Sequence, residues 1–166
     1  MKDNSFVNII SRHGLAALVV IAVTTAAHAE QNCLKKAWEE FNNKNYTGAI
    51  TAANDCIDDF GPKAMKEQSD LARQNVKNPP TGTVQSGADK QEIFERWAVN
   101  DVSTAYFVKG RSAEYLYKKQ KLPKYKEIAQ EAYQGAIKLG YGRCFDPQGW
   151  FWSPAEAAEE RLEALK

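Results

Sequence analysis

The strongest constraint on this chain is a helical rhythm that occurs twice, with small residues at several matching places. Tyr46, Ala49, Ile50, Ala53, Ile57 and Phe60 recur at spacings of three and four, which puts them on one face of a helix. Tyr125, Ile128, Ala129, Ala132, Tyr133, Ala136, Ile137 and Leu139 do the same. Ala49, Ala53, Cys56 and Ile57 align with Ala129, Tyr133, Ala136 and Ile137 at a constant offset of 80 residues. Each stripe follows another of the same kind. Leu34, Ala37, Trp38 and Phe41 precede the first across the turn Asn42-Asn43-Lys44-Asn45, and Val102, Ala105, Tyr106, Gly110, Ala113, Leu116 and Tyr117 precede the second across Lys121-Leu122-Pro123. Two stripes joined by a short turn make an antiparallel helical hairpin. Ala37 aligns with Gly110 at an offset of 73, so the second hairpin is longer by two helical turns.

Between the hairpins the pattern weakens. Gly61-Pro62 is a helix stop, and 63–76 is polar but helix-compatible. Lys77 to Ala88, KNPPTGTVQSGA, is a loop, because Pro79-Pro80, Gly82 and Gly87 oppose a helix. Asp89 is placed to cap a helix carrying Ile93, Phe94 and Trp97, and Asn100 or Asp101 to cap the next. Gly140-Tyr141-Gly142 ends the second hairpin, and Asp146-Pro147-Gln148-Gly149 is a turn. Ser153-Pro154-Ala155-Glu156 opens a last helix as a capping box with Pro at its first position. No strand-like run appears, so the expected fold class is all-α.

The N-terminus has the form of a secretory signal. Lys2 and Arg12 are its basic part, Leu15 to Val23 its apolar run, and Ala27-His28-Ala29 a cleavage pattern. The run is shorter than the ~20 apolar residues that span a bilayer, so no stable membrane insertion is expected. The expected mature chain is therefore exported, to the periplasm or beyond. Its 22 basic and 21 acidic side chains fall to twenty of each once Lys2, Arg12 and Asp3 are removed. That balance excludes nucleic acid as the main ligand, since phosphate binding needs an excess of Lys and Arg. Both histidines, His13 and His28, leave with the signal. A chain without histidine has no Ser-His-Asp or Cys-His mechanism and no His-based zinc site. We therefore expect no enzyme, no cofactor and no metal.

The hairpins resemble the tetratricopeptide repeat, whose unit of about 34 residues is a helix-turn-helix with small residues at its packing points. Tyr46-x-x-Ala49-Ile50 and Tyr133-x-x-Ala136-Ile137-x-Leu139 are strings similar to those of that family. The resemblance covers Glu30 to Pro62 and about Asp101 to Gly140. It implies antiparallel helical hairpins stacked in a short superhelix, closed by a C-terminal capping helix. On this view 1–29 is the cleaved signal and 30–166 one domain, with hairpins at 30–62 and 101–140. An irregular middle at 63–100 contains the loop 77–88, and 141–166 holds an aromatic segment and the cap helix.

What the resemblance implies for function is a scaffold that holds a protein or peptide in a groove lined by the first helix of each hairpin. The matching positions are Leu34, Trp38, Phe41 and Asn42, then Thr104, Phe107, Arg111 and Tyr115. Trp38 and Phe41 also suit a core, where large apolar side chains normally go. Arg111 and Tyr115 share a helix face and belong to the types favoured at contact hot spots. The expected partner-binding set is Trp38, Phe41, Phe107, Arg111 and Tyr115.

Trp150-Phe151-Trp152, with Tyr141 and Phe145 nearby, is the densest aromatic cluster. It reads either as a platform for a glycan or a partner, or as a plug over the open end of the helical stack. The platform reading makes the chain a cell-wall or polysaccharide binder. Lys118, Lys119, Lys121, Lys124 and Lys126 form a basic turn, and Asp55, Asp58 and Asp59 lack the spacing of a calcium loop.

Cys33 and Cys56 lie at equal distances from the first turn, so an antiparallel hairpin brings them face to face. In an oxidising compartment they are expected to pair, closing a loop that stabilises the fold by ~3 kcal/mol on a chain-entropy model. Two reduced, packed thiols are the alternative. Cys144 is then left over: Arg143 beside it would favour reactivity by lowering its pKa, but without histidine the expected reading is a buried or incidental thiol, with an intermolecular disulfide as the alternative. Intact-mass measurement of the exported protein, alkylated without reduction, is expected to find one modified thiol; three refute the Cys33–Cys56 pairing.

Overall fold

The computed structural model describes residues 34–166. The signal region and Cys33 lie outside the described residues. What is described is predominantly helical. The first helix, α1, covers 34–42. It turns at Lys44, whose φ of 62° is left-handed, into α2, Tyr46–Arg73. Asn45 caps α2 by accepting a hydrogen bond from the Gly48 amide. Then come α3, Gly87–Glu95, and α4, Trp97–Gln120. Lys121 ends α4 in the left-handed region, and Pro123 opens α5, Pro123–Ile137. A short antiparallel hairpin of β1, Cys144–Asp146, and β2, Trp150–Trp152, leads to α6, Pro154–Glu163. Among the described residues no helix is long and apolar enough to cross a membrane.

Four sequence expectations are corrected. Gly61-Pro62 does not end the helix: α2 runs on to Arg73 with Pro62 inside it. Proline removes one amide bond to the carbonyl four residues back. Pro62 and Asp58 are both exposed, so water can serve that carbonyl. The cap of α3 is Ser86, which accepts from the Asp89 amide, while Asp89 sits in the first turn. Next, α4 starts at Trp97, not at Asn100 or Asp101, and its start has no side-chain cap. The fourth correction is the strand pair where none was expected. A three-residue stretch is too short to show a period. The turn does carry its chemistry: Gly149 has φ of 99° and its amide donates to the Asp146 carbonyl at 2.8 Å.

The centre of the molecule is α4. Its buried residues run from Ala98 to Leu116 on every side of the helix. Ala105 and Val108 meet Ala37, Ala49, Ala52, Ala53 and Cys56 of the first hairpin. Ala98, Val99 and Val102 meet Ala64, Leu139 and Tyr141. Phe107 and Ala113 meet Ala129, Tyr133, Ala136, Ala158 and Leu165. The paired small residues explain the repeat. Ala37 and Ala53 pack in the first hairpin; in the second, Gly110 leaves room for Tyr133, and a Cβ on Gly110 would stand 2.5 Å from that ring.

The Tyr133 hydroxyl donates to Glu114 at 2.7 Å inside this core. Glu114 is a buried carboxylate that also pairs with Lys118 and lies 3.7 Å from Arg161 and 3.9 Å from Arg111. Burial alone pushes its pKa up, but the hydrogen bonds from Lys118 and Tyr133 and the charges of Lys118 and Arg161 outweigh it, so the pKa lies below normal. The ionised carboxylate therefore stabilises the fold above the ordinary glutamate value of about 4.3, and loses that contribution as pH falls through its lowered folded value. Glu114→Gln is expected to destabilise by roughly 1–3 kcal/mol at pH 7 in urea denaturation. The gap from the native protein is expected to narrow below pH 4. A gap independent of pH refutes the ionised role.

Candidate functional site: an aromatic cleft divided by a strand

The site begins with how the hairpin β1–β2 is held. Arg143, the residue before β1, is 3 % exposed. Its Nε and Nη2 donate to the Pro79 carbonyl at 3.0 and 2.6 Å, and its Nη1 to Gly140 and Gly142 carbonyls at 3.0 and 2.7 Å. Its amide donates to Asn100 Oδ1 at 2.8 Å, and Asn100 Nδ2 donates to the Ile93 carbonyl at 2.6 Å. One guanidinium and one amide side chain thus tie the loop after α2, the end of α3, the start of α4 and the root of the hairpin. Gly82 then pairs with Phe151 through two backbone bonds of 2.7 and 2.9 Å, making the loop a partial third strand.

The register pairs Cys144 with Trp152, Phe145 with Phe151 and Asp146 with Trp150. Side chains alternate, so Cys144, Asp146, Trp150 and Trp152 share one face and Phe145 and Phe151 the other. Phe151, 1 % exposed, packs with Val84 and Ile93 and meets Phe94 at 5.6 Å between ring centres. On the opposite face Trp152 meets Phe107 of α4 edge-on at 5.1 Å.

Each face of the hairpin borders a cavity. On the Trp face, a cavity of about 710 Å³ is walled by Trp38, Phe107, Trp150 and Trp152, with Glu39, Asn42 and Asp146 at its rim. On the Phe face, one of about 530 Å³ is walled by Phe94, Trp97, Phe145 and Phe151, with Asp101 and Thr104. Lys35 and Trp38 of α1 and Cys144 and Phe145 of β1 border both. The cavities are therefore two halves of one cleft, joined where the outer edge of β1 faces α1. Both volumes lie in the range of ligand pockets.

The expected residues divide among three places. Trp38 and Phe107 line the cleft with Trp150 and Trp152, so the groove positions and the C-terminal aromatics meet. Trp150 is 37 % exposed, and Trp152 is half-buried as part of the core. The plug and platform readings each hold for part of the cluster: Phe151 is core and Trp150 is surface.

Phe41, Arg111 and Tyr115 border neither half. They form a brace behind the wall. The Arg111 guanidinium lies 5.9 Å from Phe41, 5.9 Å from Phe107 and 5.5 Å from Tyr115, close enough for cation–π attraction. Only 20 % of its side chain is exposed. Tyr115 stacks on Tyr46 at 4.8 Å, and Phe41 meets Trp38 edge-on at 5.8 Å.

Cys144 is a free thiol whose sequence neighbour does not activate it. Arg143 points away to the carbonyls, and burial pushes the thiol up to about 11, Asp101 and Asp146 adding to the rise against hydrogen bonds from Thr104 and Trp152. At neutral pH it is protonated, not a nucleophile.

Sequence reasoning gives no place in the site to Lys35, Phe94, Asp101 or the clamp Asn100–Arg143. The clamp joins residues 43 apart in the chain, which no periodicity reports. The Asp-Pro-Gln-Gly turn between aromatic residues was the one signal that a hairpin stood there. Among the described residues no group of three His, Cys, Asp or Glu is placed to hold a metal ion. The chain matches no family model, no curated protein and no solved structure.

Arg143→Lys keeps the charge but loses the fork that grips Pro79. It is expected to speed amide hydrogen exchange at Gly82 and Phe151 at least tenfold while the α4 amides keep their protection. Unchanged exchange at Gly82 counts against the clamp.

Proposed function

We propose that the protein is an exported helical scaffold, similar to a tetratricopeptide-repeat protein, that binds a polypeptide partner of a cell-envelope assembly in the aromatic cleft. One observation carries this reading: the two sequence-distant aromatic groups, Trp38 with Phe107 and Trp150 with Trp152, converge on one open cleft. Aromatic walls supply large apolar area at low conformational cost, the usual chemistry of a contact hot spot. The order of packing, α1–α2 against α4 and α4 against α5, agrees with stacked hairpins. The signal-like N-terminus supports export, and the Cys33–Cys56 bridge belongs to the same proposal. We assign the site binding and no reaction: Cys144, the thiol that borders both halves of the cleft, is held protonated.

A second reading, a cell-wall glycan on the same rings, is favoured by the exposed Trp150 beside Asp146 and Asn42. The two separate in one experiment. The mature protein is used to capture crosslinked envelope extract, with bound protein and bound glycan assayed together. Trp150→Ala is expected to reduce retention of a protein partner about thirtyfold, the effect of losing one hot-spot ring worth ~2 kcal/mol. Its melting temperature is expected to stay near the native value. Glycan retention lost in the same variant, with no protein partner, replaces the first reading by the second.

A further inference from the structure

The outer edge of β1 offers one unpaired set of backbone groups, and it does so at the junction of the two half-clefts. Phe151 uses its amide and carbonyl on Gly82, so these groups point away from β1. Phe145 therefore faces Phe151 as a non-hydrogen-bonded pair, and the Phe145 N–H and C=O point outward. Among the described residues, the amide has no partner and the carbonyl has only a weak contact from the Cys144 thiol at 3.9 Å. The flanking outward positions offer no amide donor: the Arg143 amide is taken by Asn100, and Pro147 has none. Phe145 thus presents one donor and one acceptor, spaced for one residue of an added strand.

We propose, resting on the polypeptide-binding reading above, that the partner binds as an extended strand paired to Phe145 between β1 and α1. Its side chains then alternate between the two half-clefts. The residue opposite Phe145 points to the Phe face, into the cavity of about 530 Å³ walled by Phe94, Trp97 and Phe151. Its two neighbours point to the Trp face, into the cavity of about 710 Å³ walled by Trp38, Trp150 and Trp152. The rim carries Glu39, Asp101 and Asp146 against Lys35, which pairs with Glu39 at 3.8 Å, and the guanidinium of Arg143, so its formal charges sum to a small negative excess. The occupant is therefore an apolar segment, large side chains at alternate positions, with basic flanks.

The test uses a synthetic peptide, acetyl-Lys-Thr-Trp-Val-Trp-Thr-Lys-amide, and its twin N-methylated at the central valine. The twin keeps every side chain and loses the amide that meets the Phe145 carbonyl. The full mature protein is expected to bind the twin at least tenfold more weakly than the parent. Two variants divide ring from backbone. Phe145→Ala keeps the outward amide, whereas Phe145→Pro removes it at an edge position that tolerates proline. Phe145→Pro is expected to bind at least tenfold more weakly than Phe145→Ala, and both to retain the native circular dichroism. Slowed exchange of the Phe145 amide in the native complex reports the same bond.

Equal binding of parent and twin, or no difference between the two variants, overturns strand pairing while leaving the cleft as the binding site. No binding of the parent at millimolar concentration also overturns it; the envelope capture then decides separately whether the scaffold reading stands. A dimer in sedimentation that Phe145→Pro abolishes overturns it too, because a second copy then holds the edge. Binding of a soluble cell-wall oligosaccharide in place of the peptide, lost in Trp150→Ala, overturns both readings.

Discussion

The guanidinium of Arg143 joins the two irregular segments of the chain, and the cleft exists because of it. A buried charge is costly unless its hydrogen-bonding groups are satisfied. Here the satisfaction comes from carbonyl dipoles, those of Pro79, Gly140 and Gly142. Burial lowers the pKa of Arg143, with Glu156 opposing the fall and Arg96 adding to it, yet arginine stays charged at neutral pH. The same carbonyls lie in segments that make no helix and have few other internal partners. Each group thus solves the other's problem. The result fixes the loop after α2 against the root of the hairpin, which sets the position of Trp150, Trp152 and Phe145 relative to α1.

The helix that receives this clamp is built to be buried. Along its buried length, α4 keeps polar side chains occupied with its own backbone: the Ser103 and Thr104 hydroxyls donate to the Asn100 carbonyl at 3.0 and 2.7 Å, and Ser112 to Val108 at 2.8 Å. Small and back-bonded residues let neighbouring helices approach on all sides. At the other end Glu114 takes its bond from Tyr133, which occupies the space left by Gly110. A central helix with no exposed stripe shows no clean amphipathic rhythm. That is why its N-terminal boundary was misread while α2 and α5, each with one buried stripe, were placed correctly at their starts or ends.

The sequence was most legible where one local rule governs one local structure. The turn at Asn42 to Asn45, the break at Lys121-Leu122-Pro123 and the Ser153 cap all follow from residue type and position. It was least legible where tertiary context overrides such a rule. Pro62 stays in a helix because its side of α2 faces water. Arg143 leaves Cys144 alone because carbonyls distant in sequence claim the guanidinium. The site followed the same division. Aromatic clustering pointed to Trp38, Phe107, Trp150 and Trp152, but not to their convergence. Arg111 and Tyr115 read as a groove pair from the resemblance and their shared helix face; Tyr115 is exposed, but three rings enclose the guanidinium.

That enclosure gives the cleft its asymmetry. Trp38 meets Phe41, Phe41 meets Tyr46 and Tyr115, and Arg111 lies among Phe41, Phe107 and Tyr115, so the α1 wall is backed by a continuous ring network. Such a wall loses little side-chain freedom when a ligand arrives, and affinity depends on how much freedom remains to be lost. The opposite wall differs. Trp150 projects from a three-residue strand beside a turn, and only Asp146 stands across from it. A rigid face and an adaptable one, separated by a strand whose outward backbone groups are unpaired, favour a ligand with a regular backbone and varied side chains over one recognised by a single fixed shape.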